Sequence, residues 1–358
     1  MQGLKNKAIE ERISTAVVDL AEEIGLKYST DTSKGIRREY NDKTAIFFNL
    51  KGDEISDLKI LDRIKSLKIP PAWTEVWISP SSKGHLQATG KDAKGRKQYI
   101  YHPDWSKNRC ESKFDKMFHF GGVLPSIRKQ VEKDLSMRKL CKQKMLATVV
   151  GLLDHTLIRI GNKAYEKEYN SYGLTTLRNR HLKNIGKDVL FEFVGKKGVR
   201  QSIKVTDSRL SKIVKKCKEI PGYQLFQFYD DNGEKHVVES QDVNSYLKSI
   251  TGEEITAKDF RTWGGSAYAI KLLQKLEIPE TEKELKKNII DVEKSVAAKL
   301  GNTVSVCRKH YLHPIIMEAY KDKVIQQFIE KNPKFHIKGS KLLTPEEKIF
   351  LRIIDRID

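Results

Sequence analysis

The sequence predicts an α+β fold, with a small β-rich N-terminal domain over residues 1–107 and a mainly α-helical domain over residues 108–358 that carries a small β-sheet. Two observations predict it. Residues 40–105 break into short β-type runs (Thr44–Leu50, Glu75–Ser79, Leu86–Thr89, Gln98–Tyr101) punctuated by glycines and Pro70-Pro71, whereas helical periodicity dominates beyond the polar stretch Trp105–Lys116. With 358 residues, 39% of them apolar and 32% charged, the chain has the composition of a folded protein and the length for two cores of ordinary size. A disordered chain or a single small binding module is excluded on those grounds.

Taken in order, Ile9, Ile13, Val17, Leu20 and Ile24 form an amphipathic helical pattern interrupted by Lys, Glu and Arg, which is neither a signal peptide nor an anchor. No apolar run approaches the ~20 residues that span a bilayer. In the second domain Met145–Glu168 reads as one helix, with Arg159 inside it. Asp188–Phe193 and Val199–Val205 read as strands joined by Gly195-Lys196-Lys197-Gly198, a tight turn that lifts a lysine into solvent. A second hairpin is expected around Asp231-Asn232-Gly233, between Tyr223–Tyr229 and Lys235–Glu239; its acidic turn lacks the loop length and terminal Glu of a calcium hand. Helix Ile289–Leu300 ends at Gly301, a short helix from Thr303 carries Tyr311, and Pro314 stops or kinks the pattern. A capping box at Thr344-Pro345-Glu346-Glu347 opens the last helix.

The four cysteines, Cys110, Cys141, Cys217 and Cys307, have neither CxxC nor paired-His spacing, so no zinc site or disulfide framework is expected and a reducing compartment fits. A net charge of +20 makes a polyanion the default partner. Within Lys83–Arg109 seven basic and two acidic residues are interleaved with Tyr99, Tyr101 and Trp105, a mixture suited to phosphates and base edges, although a solvated basic face reads equally well. Gly90 to Gly95 has the glycine spacing of a P-loop, but Arg96-Lys97 follows where Lys-Ser/Thr is required, so no ATP site is expected there. Taken alone, Arg159 in its apolar run reads as the partner of a core carboxylate such as Asp154, and Lys196 as a surface lysine.

Order and spacing change that reading. Arg159, Lys196 in a hairpin, Arg261 before Trp263-Gly264, and Tyr311 nine positions after Asn302 resemble the layout of the poxvirus and bacterial type IB DNA topoisomerases. The resemblance extends through Gly95-Arg96-Lys97-Gln98-Tyr99-Ile100-Tyr101, Gly173-Leu174-Thr175-Thr176-Leu177-Arg178-Asn179-Arg180-His181 and Leu300-Gly301-Asn302-Thr303, and covers residues 40–325. It implies a catalytic domain of the DNA breaking-rejoining, tyrosine recombinase-like type, and a β-rich domain that closes with it round duplex DNA as a clamp. It also implies that Tyr311 attacks a phosphodiester to form a 3′-phosphotyrosyl link, that Arg159 and Arg261 hold the non-bridging oxygens, and that Lys196, with Lys197 as fallback, protonates the departing 5′-oxygen.

The link stores the energy of the broken strand and arginines supply positive charge, so neither ATP, metal nor another cofactor is expected. Where the poxvirus pattern has His, this chain has Asn302, which can donate a hydrogen bond but cannot carry a proton. By the same residue-by-residue transfer Gln98, Tyr99 and Tyr101 touch the major groove, with Arg96, Lys97, Lys258, Tyr165 and, more weakly, Ser266 as further DNA contacts. His181, His310, His313 and Cys307 are expected to be structural. The expected protein is a monomer acting on double-stranded DNA in the cytoplasm, at the nucleoid, with no obligatory protein partner. A tyrosine recombinase ordinarily shows His-x-x-Arg where this chain has Lys258-x-x-Arg261 and carries a helical, not β-rich, first domain; a non-catalytic DNA-binding protein has no need of the Arg-Lys-Arg-Tyr set.

Overall fold

The computed structural model describes residues 18–41, 44–326 and 341–355. Ile9, Ile13 and Val17 of the expected first helix lie outside the described residues, and residues 18–23 are helical. The chain divides into two compact units, residues 1–113 and 114–358. The first holds a five-stranded antiparallel sheet in the order β2-β1-β3-β4-β5, made of β1 (Ile36–Asn41), β2 (Thr44–Phe48), β3 (Thr74–Ile78), β4 (Leu86–Lys91) and β5 (Lys97–Tyr101). Ile36, Val76, Ile78 and Ala88 form its core with Ile64 of α1 (Leu58–Ser66), a helix started by Asp57, whose carboxylate accepts from Lys59 N at 2.8 Å. β1 is not evident in the sequence, because Arg37-Arg38-Glu39-Tyr40 hides its alternation, whereas α1 carries a cap at Asp57 and apolar residues at helical spacing, Ile60, Leu61 and Ile64, within a stretch otherwise of strands. β5 is an edge strand whose pleat exposes Lys97, Tyr99 and Tyr101 on one face and turns Gln98 and Ile100 to the other.

The polar stretch expected as a boundary is helical: α2 runs from Pro103 to Leu135 through the division between the units. In the second unit α3 (Lys142–Thr156) is buried nearly all round, through Met145, Leu146, Val149, Val150, Leu152 and Leu153. The single helix expected over Met145–Glu168 is broken. Leu157 adopts a left-handed conformation (φ 58°) and closes α3, and Asn162 caps α4 (Lys163–Tyr169) by accepting from Ala164 N at 2.8 Å. Arg159 therefore stands on a loop and not on a helix: the helix has already stopped at Leu157, inside the apolar run, and the next one starts only at Asn162.

A three-stranded meander follows, β6 (Leu182–Ile185), β7 (Asp188–Val194) and β8 (Arg200–Val205), whose second turn is formed by Lys197 (φ 65°) and Gly198 (φ 79°) as the hairpin reading requires. After α5 (Ser208–Cys217), the second hairpin is present but shorter than read, pairing β9 (Gln227–Tyr229) with β10 (Lys235–Val237). Then come α6 (Ser240–Thr251), α7 (Ala257–Leu273), α8 (Glu282–Leu300), α9 (Val304–His310) and α10 (Pro314–Lys321). α8 begins earlier than the apolar pattern shows because Thr281 caps a charged first turn. Tyr311 is the C-cap of α9 and not a residue within it, and Pro314 starts α10 rather than ending a helix. Among the described residues no helix is long and apolar enough to cross a membrane.

The last helix, α11 (Pro345–Ile354), has the expected capping box, with Thr344 N donating to Glu347 Oε2 at 2.8 Å. Glu347 is buried and does more. Its carboxylate accepts from Arg128 of α2 at 2.7 and 2.8 Å and from the indole Nε1 of Trp263 in α7 at 3.0 Å. Arg128 also holds Asp154 of α3 at 2.7 and 2.9 Å, so the partner of Asp154 is Arg128 and not Arg159. Burial raises the Glu347 pKa, but the hydrogen bonds and charge of Arg128 outweigh it and hold the carboxyl below its ordinary 4.5. Because the folded value is depressed, this stabilisation is present above about pH 4.5 and is lost as pH falls through the folded value. Glu347→Ala leaves the Arg128 guanidinium with Asp154 as its remaining carboxylate and the Trp263 indole N–H without its acceptor, and should destabilise the second unit by about 1–3 kcal/mol at pH 7. Urea unfolding at pH 7 and pH 4 should show that penalty shrinking in acid.

Candidate active site

The geometry begins with Arg261 on α7, 3% exposed, whose guanidinium donates to the carbonyls of Leu157 and, at 2.8 Å, Leu300. These are carbonyls at the C-terminal ends of α3 and α8, where helix dipoles favour a cation. Gly264, one turn on, makes room for this junction: a β-carbon there would lie 2.4 Å from Leu157 Cδ2. The left-handed turn at Leu157 sends the chain into the Arg159 loop. Leu174 N and Thr175 N donate to Arg159 O (2.9 Å) and Ile160 O (2.7 Å), which explains the Gly173-Leu-Thr-Thr run; a β-carbon on Gly173 would meet Arg159 O at 2.5 Å.

Arg159 Nη2 in turn donates to Gly301 O at 3.2 Å and to Asn302 Oδ1, leaving Asn302 Nδ2 buried with no hydrogen-bond partner among the described residues. Gly301 closes α8 in a left-handed conformation (φ 58°). The Tyr311 phenol lies beside this junction, the Arg261 guanidinium carbon being 5.0 Å from its ring centroid. Behind the tyrosine, Ser266 Oγ donates to Tyr311 O at 3.5 Å and accepts from His313 N at 3.1 Å. Ser266 is fully buried, so the expectation of a DNA contact is corrected: it holds backbone.

Lys196 comes in from the β7–β8 hairpin, its ammonium 5.9 Å from the ring centroid of Tyr165 on α4. Arg159, Lys196, Asn302 and Tyr311 line one cleft of about 850 Å³, and Arg261 lines the void behind it. The charges act on one another. Burial raises the Tyr311 pKa, yet Arg261 and Arg159, a hydrogen bond from Arg261 and the charge of Lys258 bring it below 10 overall. Loss of hydration, then the charge of Arg159, lowers the Lys196 pKa below 10.5, with Lys197 and Lys258 adding to the fall and Tyr311 opposing it. Arg261 is likewise held below the ordinary guanidinium value, by desolvation first and by Arg159 second. An arrangement of three cations, a phenol with lowered pKa and an unpartnered amide N–H suits an anion under nucleophilic attack.

A family model described as the eukaryotic DNA topoisomerase I catalytic core matches residues 102–335, and DNA topoisomerase 1B of Acanthamoeba polyphaga mimivirus is 30% identical, over 85% of this chain and 90% of its own length. The chain belongs to the type IB DNA topoisomerase family. A second model, the N-terminal domain of bacterial DNA topoisomerase IB, matches residues 46–92 of the first unit. DNA topoisomerase I of monkeypox virus and DNA topoisomerase 1B of vaccinia virus (strain Copenhagen) are each 26% identical, over 80% of this chain and 88% of their own.

In this type IB topoisomerase Gln98, Tyr99, Tyr101, Arg96 and Lys97 belong to the first unit. Tyr99 and Tyr101 stack with centroids 6.1 Å apart, Lys97 pairs with Asp31 at 2.6 Å, and Arg96 pairs with Asp92. Lys258 is exposed on α7. His181 is structural as expected: it accepts from Arg178 N at 3.1 Å, and burial with the charges of Arg180 and Arg178 pulls its pKa to about 4. The acidic hairpin supplies the one cluster of candidate metal ligands among the described residues, Asp230, Glu234 and His236, but Asp230 is already engaged by Asn232 N, Glu234 N and His236. Gln201 lies in the wall of the cleft, and the only mark of this in the sequence is its place two residues into the strand after the hairpin. Gly301→Ala should cost about 1–2 kcal/mol from the left-handed backbone alone. It should also lower activity more than stability, measured by plasmid relaxation beside thermal unfolding, because the new methyl meets Gln201 at 2.6 Å.

Proposed function

We propose that this chain relaxes supercoiled duplex DNA by cutting one strand through Tyr311, holding the 3′ end as a phosphotyrosine and resealing it. The observation that carries this reading is the convergence of Tyr311, Arg159, Lys196 and Asn302 on one cleft, with Arg261 against the phenol. A free phenol with a pKa of about 10 is scarcely ionised at neutral pH, so the surrounding cations matter: they bring the attacking oxygen closer to its ionised form. Arg159 and Arg261 then stabilise the charge that grows on the non-bridging oxygens, and the free amide N–H of Asn302 adds a neutral donor. Lys196, protonated, gives its proton to the 5′-oxygen as the phosphorus bond breaks. The 5′-hydroxyl reverses these steps to religate, so no ATP is consumed. With this cationic set supplying the charge stabilisation, no step calls for a metal.

The first unit supports DNA engagement in another way. β5 is the edge strand of the five-stranded sheet, paired only with β4 among the described residues, and an exposed strand edge of this kind can be laid into a major groove. Entering edge-on, it offers both faces, which lets Gln98 act together with Tyr99 and Tyr101 although the pleat turns them apart. Lys97 and Arg96 would exchange their carboxylate partners for phosphates, and Lys258 and Tyr165 would flank the scissile site. This reading includes action as a monomer on nucleoid DNA in the cytoplasm.

Plasmid of either supercoil sign should be relaxed in EDTA without ATP, and Tyr311→Phe should bind DNA but relax neither. Binding without relaxation or covalent trapping by the wild-type chain would overturn the proposal in favour of a non-catalytic DNA-binding protein. Arg159→Lys and Arg261→Lys should each slow single-turnover cleavage by about 10²-fold or more, since an ammonium cannot reproduce the planar fork. In the pH profile of cleavage, the rate rises as Tyr311 ionises and falls as Lys196 loses its proton. Because the folded lysine value is lowered, that fall should come at lower pH than for a free lysine, and Lys196→Ala should abolish it.

A further inference from the structure

We infer that Gln201 is a positioning residue for the Lys196 hairpin: its side chain is a wedge between Gly195 at the base of the hairpin and Gly301 at the end of α8. Gly195 is buried whereas residues 196–200 are exposed, so where the tip stands depends on what its base rests upon. Gly195 N donates to Val199 O at 2.8 Å and closes the turn, and Gln201 lies just beyond, paired across the ribbon with Phe193. A β-carbon on Gly195 would lie 3.2 Å from Gln201 Cγ. One on Gly301 would lie 2.6 Å from Gln201 Nε2 and 2.9 Å from Oε1. The same Gly301 gives its carbonyl to Arg159. Gln201 thus touches both the segment carrying Lys196 and the segment that holds Arg159 and Asn302.

The amide makes no side-chain hydrogen bond among the described residues, so its contribution is shape. It forms part of the wall both of the cleft and of the void of about 10 Å³ behind it that Arg159 and Arg261 share. Neutrality also suits the place: Arg159, Lys196, Lys197 and Lys299 line the same walls, and a carboxylate would pair with them in competition with a phosphate.

The inference rests on the general-acid reading of Lys196. As the Tyr311 oxygen bonds to phosphorus, the bond to the 5′-oxygen breaks with its electron pair, the Lys196 ammonium protonates that oxygen, and the phenol proton passes to solvent. With sulfur in the bridging 5′ position the leaving group departs as a thiolate, whose conjugate acid has a pKa of about 8.5, and needs no proton. A residue that acts by placing Lys196 therefore matters for the oxygen substrate and not for the sulfur one.

The test measures single-turnover covalent trapping on duplexes with bridging oxygen or sulfur, for wild type, Lys196→Ala, Gln201→Ala and Gln201→Met. Gln201→Ala should cleave the oxygen duplex about tenfold or more slower than wild type and the sulfur duplex within about threefold of it. Gln201→Met, which keeps the volume without the amide, should recover most of the oxygen rate. Equal slowing of Gln201→Ala on both substrates, no slowing on either, or a Met variant as slow as Ala overturns the inference. If Lys196→Ala is not itself rescued by sulfur, the general-acid reading falls and the inference with it. If Lys196→Ala is rescued and Gln201→Ala is not, only the inference falls.

Discussion

The buried guanidinium of Arg261 is the junction on which the second unit depends. Burying an unpaired cation costs several kcal/mol, and here the compensation is the carbonyls of two helix C-termini rather than a carboxylate. The choice matters for chemistry. A carboxylate would neutralise the charge, whereas carbonyls leave it available to the Tyr311 phenol and to an incoming anion. The two helix ends so joined have their own consequences: one turns left-handed at Leu157 and delivers Arg159, the other turns left-handed at Gly301 and presents the carbonyl and amide that Arg159 grips. Gly264 lets Leu157 lie where a β-carbon would clash with it, and Gly265 packs tightly, a β-carbon there lying 3.1 Å from Leu300 Cδ1 and 3.2 Å from the Tyr311 carbonyl.

Like charges gathered this closely oppose folding, and the free energy for holding them comes from elsewhere in the unit. Arg128 fastens Asp154 at the end of α3 to Glu347 of α11, and Glu347 also holds Trp263, two residues beyond Arg261. Phe350 and Phe120 pack on the same indole, with ring centroids 4.8 and 5.7 Å away. The last helix is therefore a brace for α7, which carries Arg261, and for α3, whose end leads into the Arg159 loop. This network also explains why a core carboxylate beside Arg159 in sequence does not quench it: Asp154 is taken.

Legibility in the sequence followed the range of the interactions involved. The hairpin at Gly195–Gly198, the caps at Thr303 and Thr344 and the end of α8 at Gly301 are set by neighbouring residues, and local chemistry was enough to read them. The Arg159 loop is not legible because the apolar run that precedes it is buried on every side and carries no periodicity, so the stop at Leu157, an uncommon residue for a left-handed turn, leaves no local mark. Strand β1 leaves no alternating pattern because a strand next to the sheet edge tolerates charged residues on both faces.

By itself the sequence determined the division into a β-rich and a mainly helical part, the hairpins and caps, the excess of positive charge and, through its resemblance to the type IB topoisomerases, a candidate set of five residues. Charge and turn chemistry are properties of the chain alone, and so is the order of Arg159, Lys196, Arg261, Asn302 and Tyr311 that carries the resemblance. Only the tertiary structure decided what each of them faces. Ser266 became a buried backbone anchor, Asp154 the partner of Arg128, and Gln201 a wedge beneath a lysine hairpin, since each depends on the close approach of segments tens to hundreds of residues apart. A contact of that kind is set by packing, which no local pattern encodes.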